Sequence, residues 1–269
     1  MTRPFALDGA TRLYPIIGDP IAQVKSPAGM TAGFAEAGVN AMVIPIHTAP
    51  SDVDDFLEAA ARTRNIDGII ATVPHKFAAR AQCATLSDRA RLCGSANVLR
   101  RNPDGSWHGD NLDGLGMLGG IRAQGGDPAG RDALLVGAGG AGMAIAQALL
   151  DAGVATLAVH DVDAARRDAL VARMREPYGE RVRAGSDDPA GAGLVVNATP
   201  MGMRPEDPSP VRVDRLDREA FVGCVITAPA VSPWVAAARA RGCRGSVGID
   251  MYKAVQALML AFFLEALGR

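Results

Sequence analysis

The sequence predicts an α/β protein with two domains. Short apolar runs alternate with helical patterns from one end of the chain to the other, which is typical of mostly parallel sheets. A chain of 269 residues, of which 48% are hydrophobic and 21% charged, is long enough to bury two cores. We therefore expect a first α/β domain at residues 1–112 and a second α/β series after it.

The elements of the first domain follow from apolar runs and one turn sequence. Strands are expected at residues 13–18, 41–47 and 66–73, with helices at residues 27–38 and 51–63. Two further strands, residues 97–101 and 106–108, flank Asn102-Pro103-Asp104-Gly105, a turn sequence that predicts a hairpin.

The second series again alternates strands with helices. Strands are expected at residues 133–136, 155–160, 194–197, 224–227 and 246–249, and a helix runs from the turn after the first of these to about residue 152. The most apolar segment, residues 254–267, is about 14 residues long and falls short of the roughly 20 that span a bilayer. We expect it to be a terminal core helix.

Charge and cysteine usage narrow the classes of function. The formal net charge is −1 and there is no basic stripe, which argues against nucleic acid or membrane partners and favours a small-molecule ligand. The four cysteines form no Cys-x-x-Cys pair and have no histidine at metal-ligand spacing, so no metal site is expected. The first residues lack the apolar core of a signal peptide. We expect a cytoplasmic protein that is a monomer or homodimer.

A glycine-rich turn after the strand at residues 133–136 predicts a dinucleotide-binding site. The turn reads Gly137, Ala138, Gly139, Gly140, Ala141, Gly142, with glycines at G-x-G-x-x-G spacing. Such a turn lets a pyrophosphate approach the backbone at a helix N-terminus. Asp161 ends the next strand, where a carboxylate accepts hydrogen bonds from the adenosine ribose. The second series is therefore predicted to be a Rossmann domain at residues 113–248.

Asp161 favours NAD as the cofactor, with NADP as the other candidate. A carboxylate at this position repels a 2′-phosphate, and the next residue is Val162 rather than an arginine. Arg166 and Arg167 follow closely in the sequence and weaken this inference. The alternative interpretation is that the turn only begins a helix and that Asp161 only caps the end of a strand.

Polar residues also follow the predicted strands of the first half, where α/β sheets build their sites. Thr72 and Lys76 lie at and just beyond the carboxyl end of one strand, and Asn97 begins another. Asp113 lies in the segment that leads into the second domain. Simpler interpretations are a solvated lysine at a helix start, a turn asparagine and an aspartate that caps a helix.

Six short motifs occur in a definite order along the chain. They are GDPIAQVKSP, TVPHK, GSANVL, GDNLDG, GAGGAG and NATPMGM. Together they resemble the shikimate/quinate dehydrogenase family over nearly the whole chain. The resemblance implies an amino-terminal substrate-binding domain, a Rossmann domain and a terminal helix, residues 249–269, that returns to the first domain.

The resemblance also implies roles for individual residues. Lys76 and Asp113 match the family's catalytic pair, in which the lysine exchanges the proton of the substrate hydroxyl and the aspartate orients that hydroxyl. Substrate-binding roles fall on Ser26, Thr72, Asn97 and Gln256, and residues expected to line the cofactor cleft are Asn197, Thr199, Pro200 and Met201. A plain loop with methionines that fill the core is the alternative for the last group.

Three positions depart from the family's pattern where polar partners are expected. Val24, Ile70 and Leu112 stand where the family usually has a serine, an asparagine and a threonine. A buried polar group that loses its partner costs about 1–3 kcal/mol. We therefore expect shikimate to bind poorly, and a less hydroxylated or differently substituted ring acid to fit better.

Two further departures lie in the last third of the chain. Residues 227–230 have no match to a tyrosine of the family's site. Gln256 lies one position later than the family's glutamine, which on a helix is a rotation of about 100°. Tyr252 and Lys253 are the candidates to supply the missing polar group.

These observations predict an NAD(P)-dependent oxidoreductase of the shikimate/quinate dehydrogenase type. It would transfer a hydride reversibly between nicotinamide and the 3-hydroxyl or 3-oxo carbon of a cyclic polyhydroxy carboxylic acid. A catalytically weak descendant that binds NAD and a small ligand as a sensor is the alternative, favoured by the lost polar partners. Another two-domain nicotinamide enzyme, such as a folate-type dehydrogenase, would leave GDPIAQVKSP and GDNLDG without explanation.

Overall fold

A computed structural model describes residues 7–204 and 206–268, which form two compact units. The first unit contains the described residues up to Leu112 and those from Gln256 on, and the second contains Asp113–Val255. Each unit is built on one six-stranded sheet. The predicted α/β fold class is confirmed.

The first unit has a mixed sheet. Its strands are Arg12–Gly18 (β1), Ala41–His47 (β2), Gly68–Ala71 (β3), Cys83–Leu86 (β4), Val98–Arg101 (β5) and Trp107–Asp110 (β6). Its helices before residue 112 are Ser26–Glu36 (α1), Val53–Arg62 (α2), Lys76–Ala81 (α3) and Asp88–Cys93 (α4). The strand order is β2-β1-β3-β5-β6-β4, with β1 to β3 parallel and β5–β6 antiparallel. The predicted hairpin is confirmed as β5–β6.

The second unit has a parallel sheet. Its strands are Asp132–Val136 (β7), Thr156–His160 (β8), Val182–Ala184 (β9), Leu194–Asn197 (β10), Phe221–Cys224 (β11) and Arg244–Ser246 (β12). The strand order is β12-β11-β10-β7-β8-β9. The helices are Asp113–Ala123 (α5), Gly140–Asp151 (α6), Ala164–Tyr178 (α7), Pro233–Ala240 (α8) and Gly248–Ala266 (α9). The last of these begins in the second unit and ends in the first.

Two strands lie earlier in the chain than predicted. The strand expected at residues 224–227 is β11, Phe221–Cys224, and the one expected at 246–249 is β12, Arg244–Ser246. Gly223 weakens the sequence signal of β11, because glycine has a low strand propensity. In the fold this glycine faces Met117, whose sulfur would lie 3.3 Å from an added Cβ. The strand expected at 66–73 is also shorter, Gly68–Ala71.

Helix α5 has no periodic apolar signal because four of its eleven residues are glycines. Its packing explains them. An added Cβ at Gly114 would overlap the carbonyl oxygen of Ala144 on α6, and one at Gly116 would lie 2.8 Å from Cβ of Val255 on α9. The glycines allow close contact between helix backbones, which local propensity does not reveal.

The end of α9 completes the core of the first unit. The Phe263 ring lies 4.8 Å from the ring of Tyr14, which in turn lies 4.5 Å from that of Phe34. Gly68 on β3 makes room, since an added Cβ there would be 2.6 Å from the Phe263 ring. Among the described residues, no helix is long and apolar enough to cross a membrane.

We expect Phe263→Ala to lower the free energy of unfolding of the first unit by about 3–5 kcal/mol, because it leaves a cavity beneath Tyr14 and Phe34. Urea denaturation followed by tryptophan fluorescence measures this in a Trp234→Phe background, where Trp107 reports on the first unit alone. Leu267→Ala is the control, since that side chain is 39% exposed and its loss should cost less than about 0.5 kcal/mol. Equal losses in the two variants would contradict the packing argument.

Candidate active site

Lys76 begins α3, directly after a loop that follows β3. Hydrogen bonds of the backbone hold both ends of this loop: Thr72 N donates to Ile17 O (2.9 Å), and Ala96 N donates to Lys76 O (3.0 Å). Lys76 is only 9% exposed, which does not fit a freely solvated lysine. The fold thus places a buried lysine just beyond the carboxyl end of β3, which is parallel to β1 within the mixed sheet, and α/β proteins build their sites at such strand ends.

His75, next to Lys76, fastens the loop to the end of β2. Its ring is 2% exposed, and Nε2 lies 2.7 Å from the carbonyl oxygen of Thr48. Because a carbonyl can only accept, Nε2 carries the proton in this contact. The histidine therefore fixes the backbone from which the lysine side chain projects.

The GDPIAQVKSP stretch forms the neighbouring loop. Asp19 N donates to Val73 O (3.0 Å), which joins this loop to the one that carries Lys76. Gly18 is required there because an added Cβ would collide with the methyl group of Thr72. Ser26 is the first residue of α1 and, like Val24, is half-buried.

Asn97 is brought beside the same loops by three hydrogen bonds. Its carbonyl oxygen accepts from Ala71 N (2.8 Å), and its N–H donates to Asp110 O (2.9 Å). The side-chain Oδ1 accepts from Leu112 N (2.9 Å). Since a backbone N–H can only donate, the amide orientation is fixed, and Nδ2 is directed away from Leu112.

The buried carboxylate of Asp110 forms an ion pair with the partly exposed Arg89, a contact that sequence reasoning did not identify. Arg89 donates to both carboxylate oxygens of Asp110, with Nε 2.7 Å from Oδ1, and Ser87 Oγ donates to Oδ1 as well. The Asp110 side chain is 4% exposed. The only sequence signal was the first aspartate of GDNLDG; Arg89 lies in a six-residue helix without a recognisable motif.

Two of the three departures from the family's pattern are buried. Ile70 pairs with Ile16 in the sheet, and both Ile70 and Leu112 are inaccessible to solvent apart from 2% and 3% of their surfaces. Both side chains are hydrocarbons, so neither can form a hydrogen bond with a ligand.

In the second unit the glycine-rich turn lies between β7 and α6. Gly137 adopts a φ of +104°, which favours glycine, and an added Cβ at Gly142 would overlap the Gly137 carbonyl oxygen. An added Cβ at Gly139, by contrast, meets nothing within 4 Å. The open space before the N-terminus of α6 therefore fits a pyrophosphate group.

Asp161 lies at the end of β8 and contacts this turn directly. Its Oδ2 accepts from Ala138 N (2.7 Å), and its Oδ1 accepts from Asp163 N (2.9 Å). The residue is 8% exposed. Asp161 thus joins the glycine-rich turn to the segment that follows β8.

The NATPMGM segment is a loop held by its own asparagine. Asn197 Oδ1 accepts from Thr199 N (3.0 Å) and Oγ1 (2.6 Å), and Nδ2 donates to Met201 O (3.0 Å). Ala198 N donates to Val136 O (2.7 Å), so the loop lies beside the glycine-rich turn. Pro200 is exposed and Met201 half-buried, which agrees poorly with a loop whose methionine fills the core.

The remaining predicted site residues lie on helices. Asp113 is the first residue of α5 and is 6% exposed. Gln256 is half-buried on α9. It directly follows Val255, which belongs to the buried face of that helix. Within the described ranges no group of histidine, cysteine or acidic side chains could hold a metal ion.

The second unit therefore has the architecture of Rossmann-type dinucleotide-binding domains: a parallel sheet, a glycine-rich turn that opens a helix, and an aspartate at the end of the next strand. The first unit supplies a buried lysine just beyond the carboxyl end of the central strand β3. Comparison with known proteins identifies the family. Residues 16–99 match the model described as the shikimate dehydrogenase substrate binding domain.

A curated relative, the shikimate dehydrogenase (NADP(+)) of Acidiphilium cryptum, is 36% identical over 91% of this chain and 87% of its own. The chain belongs to the shikimate dehydrogenase family. The prediction from the motifs, and with it the assignment to a family of oxidoreductases, is confirmed.

Solved structures agree with this assignment. The quinate dehydrogenase from Corynebacterium glutamicum in complex with NAD has a TM-score of 0.85 at 28% identity, covering 94% of this chain and 93% of that one. The ligand-free 5-ketofructose reductase of Gluconobacter sp. strain CHM43 has a TM-score of 0.84 at 28% identity, covering 96% and 94%. The same fold therefore occurs in relatives named for different substrates.

Two glycine substitutions test the fit of a dinucleotide to the turn. Gly139→Ala should leave the thermal midpoint of unfolding unchanged but weaken NAD binding at least about tenfold, because the added methyl occupies only the space assigned to the pyrophosphate. Gly142→Ala should lower both the midpoint and the affinity, because its methyl collides with the Gly137 carbonyl. Calorimetric titration and thermal melts measure these effects; unaltered affinity in Gly139→Ala would rule out this site for the pyrophosphate.

Proposed function

We propose that this protein is a nicotinamide-dependent dehydrogenase that interconverts a hydroxyl and an oxo group at the 3-position of a cyclic polyhydroxy carboxylic acid of the shikimate or quinate type. The observation that carries the proposal is the buried Lys76 just beyond the carboxyl end of β3, held beside Asn97 in a chain of the shikimate dehydrogenase family. A pure ligand sensor has little need of such a lysine.

In the proposed reaction, Lys76 Nζ takes the proton of the substrate hydroxyl during oxidation and returns it during reduction. Asp113 orients that hydroxyl. A bound nicotinamide would supply the hydride acceptor for oxidation and the hydride donor for reduction at the same carbon. The glycine-rich turn, Asp161 and the loop from Asn197 to Met201 would hold the dinucleotide in place.

Asn97 is assigned to the substrate as a hydrogen-bond donor. Its Oδ1 accepts the Leu112 N–H, so the group that it turns towards a ligand is the Nδ2 amide. A substrate hydroxyl or carboxylate oxygen can accept from this amide. Ser26, Thr72 and Gln256 are the further residues that we assign to substrate binding.

Three apolar side chains bear on which substituents the ring of the substrate carries. The side chains of Val24, Ile70 and Leu112 have no hydrogen-bonding group, so we propose a substrate with fewer polar substituents than shikimate, or with differently placed ones. The relatives include proteins named for shikimate, for quinate and for 5-ketofructose. A substrate panel must therefore span all three kinds.

We propose NAD as the preferred cofactor. The Asp161 carboxylate faces the turn at Ala138, and it would repel a 2′-phosphate. Arg166 lies 3.6 Å from the carboxylate of Asp163, and Arg167 donates to Asp168 at 2.8 Å. Both arginines are therefore paired with acidic neighbours, although such exposed pairs are weak.

The proposed activity is tested by following NADH or NADPH formation with shikimate, quinate and analogues that lack single hydroxyls, and consumption with 5-ketofructose. We expect turnover of at least one ring acid by the wild-type protein. Lys76→Met should lower kcat by about a hundredfold or more, because the proton acceptor is lost. Its affinity for NAD should stay unchanged.

Each outcome of this assay separates the hypotheses. Binding of NAD and a ring acid without turnover would favour the sensor, and turnover of 5-ketofructose alone would replace the ring acid with a keto sugar. Full turnover by Lys76→Met would refute the proposed role of the lysine in proton transfer. Retained NAD affinity in that variant serves as the control for correct folding.

Cofactor choice is tested with Asp161→Asn, which keeps an acceptor for Ala138 N–H, removes the charge and also removes the Oδ1 acceptor of Asp163 N–H. We expect the ratio of kcat/KM with NAD to that with NADP to exceed one in the wild type and to fall about tenfold in the variant, because the repulsion of the 2′-phosphate is relieved. Steady-state kinetics with both cofactors measure the ratio.

Asp163→Asn is the matched control. It removes a carboxylate two residues away, and asparagine still caps α7, whose Arg166 N–H bonds to residue 163. The ratio should change less than in Asp161→Asn, because the pair that Asp163 forms with Arg166 is exposed and weak. A wild-type preference for NADP, or an equal shift in both variants, would refute the specific role of Asp161.

A further inference from the structure

We propose that Arg89 is a positioning residue of the reaction: through Asp110 it fixes the backbone of residues 110–112, and thereby the start of Asp113. The inference rests on the proposed function, because it concerns the geometry of that site. Arg89 itself is assigned no contact with substrate or cofactor. It lies on α4, and its side chain is 39% exposed.

The centre of the arrangement is the Asp110 carboxylate. It accepts two hydrogen bonds from Arg89, one from Ser87 Oγ and one from Asn111 N (2.7 Å). A carboxylate that is 4% exposed needs such partners, since an unpaired buried charge is strongly destabilising. Arg89 supplies the only positive charge among these four contacts.

The next two residues are bound in the same way by side chains of neighbouring segments. Asn111 Nδ2 donates to Ser95 Oγ (2.9 Å), and Leu112 N donates to Asn97 Oδ1 (2.9 Å). The backbone of residues 110–112 is thus held by α4 on one side and by the segment before β5 on the other. Asp113 follows Leu112 directly, so its position depends on this short segment.

The ion pair is not needed to build α4. The helix begins with Ser87, whose Oγ accepts from Ala90 N (3.1 Å), and ends at Gly94, which adopts the left-handed conformation with φ of +68°. Both ends are therefore capped without Arg89. What the pair adds is a connection from the helix to the loop that precedes Asp113.

Loss of Arg89 also reaches Asn97. If the Asp110 carboxylate turns away from α4, the bond to Asn111 N is disturbed, and with it the Leu112 N–H that fixes the Asn97 amide. One exposed arginine would then control two groups assigned to the reaction. Small errors in such positions have large kinetic effects, up to about a hundredfold for a displacement of about 1 Å.

The test compares Arg89→Met, Arg89→Lys and the control Arg91→Met. Arg91 is on the same helix, carries the same charge and lies on the surface, 3.7 Å from Asp88. We expect Arg89→Met to lower kcat about tenfold or more, with KM for NAD within about twofold of wild type. Arg89→Lys, which can still donate to Asp110, should recover part of the loss, and Arg91→Met should match wild type.

A second measurement does not depend on activity. Amide hydrogen exchange of Asn111 and Leu112, whose N–H groups bond to side-chain oxygens, should be about tenfold faster in Arg89→Met and unchanged in Arg91→Met. Asp110→Asn should resemble Arg89→Met, and the double variant should be no worse, because both changes break one pair.

The outcomes separate this inference from the proposed function. An inactive wild-type protein would refute the proposed function, while the exchange rates still decide whether Arg89 holds the segment. An active wild type with kcat unchanged in Arg89→Met, or exchange unchanged at Asn111 and Leu112, would overturn the positioning role. A lower melting temperature with normal kcat below the melt would assign Arg89 to stability alone.

Discussion

Hydrogen bonds of the backbone that continue beyond the strand ends are the constraint on which the candidate residues of each unit depend. In the first unit, Asp19 N–Val73 O joins the loops after β1 and β3, and Ala96 N–Lys76 O joins the start of α3 to the segment before β5. In the second, Gly137 N–His160 O and Ala198 N–Val136 O do the same for the glycine-rich turn and its neighbour. Each bond uses a donor that every residue except proline carries, so the loop positions follow from strand register more than from particular side chains.

Close backbone contact is the second constraint, and glycine serves it in two different ways. At Gly142 the missing Cβ lets α6 pack against the turn, whereas at Gly139 it leaves open space at the helix N-terminus. In α5, glycine lets whole helices approach, as at Gly114 against Ala144. The same residue type therefore indicates a ligand site in one place and only packing in another, and the distinction lies in what an added methyl would meet.

This distinction explains what could be predicted from the sequence. The parallel strands, the hairpin and the glycine-rich turn have local patterns, and the motifs identified the family without a structure. The sequence did not predict helix α5, and it placed β11 three residues too late. Gly114 and Gly223 lower the helix and strand propensities there, while they allow close tertiary contact. The Arg89–Asp110 pair was missed for a related reason: it joins residues 21 positions apart whose individual types are common on surfaces, so only the fold reveals the burial of the carboxylate.

The two kinds of constraint also separate the chemistry from the choice of substrate. Lys76 and Asn97 are held by backbone carbonyls and N–H groups, and these contacts are independent of the side chains at positions 24 and 70. Val24 and Ile70 can therefore replace polar residues without moving the lysine. Substitutions at such positions change which ring substituents find a partner, because a buried group without one loses affinity. A fold held in this way can keep one buried lysine while its substrate varies, which agrees with relatives of this architecture that are named for shikimate, quinate and 5-ketofructose.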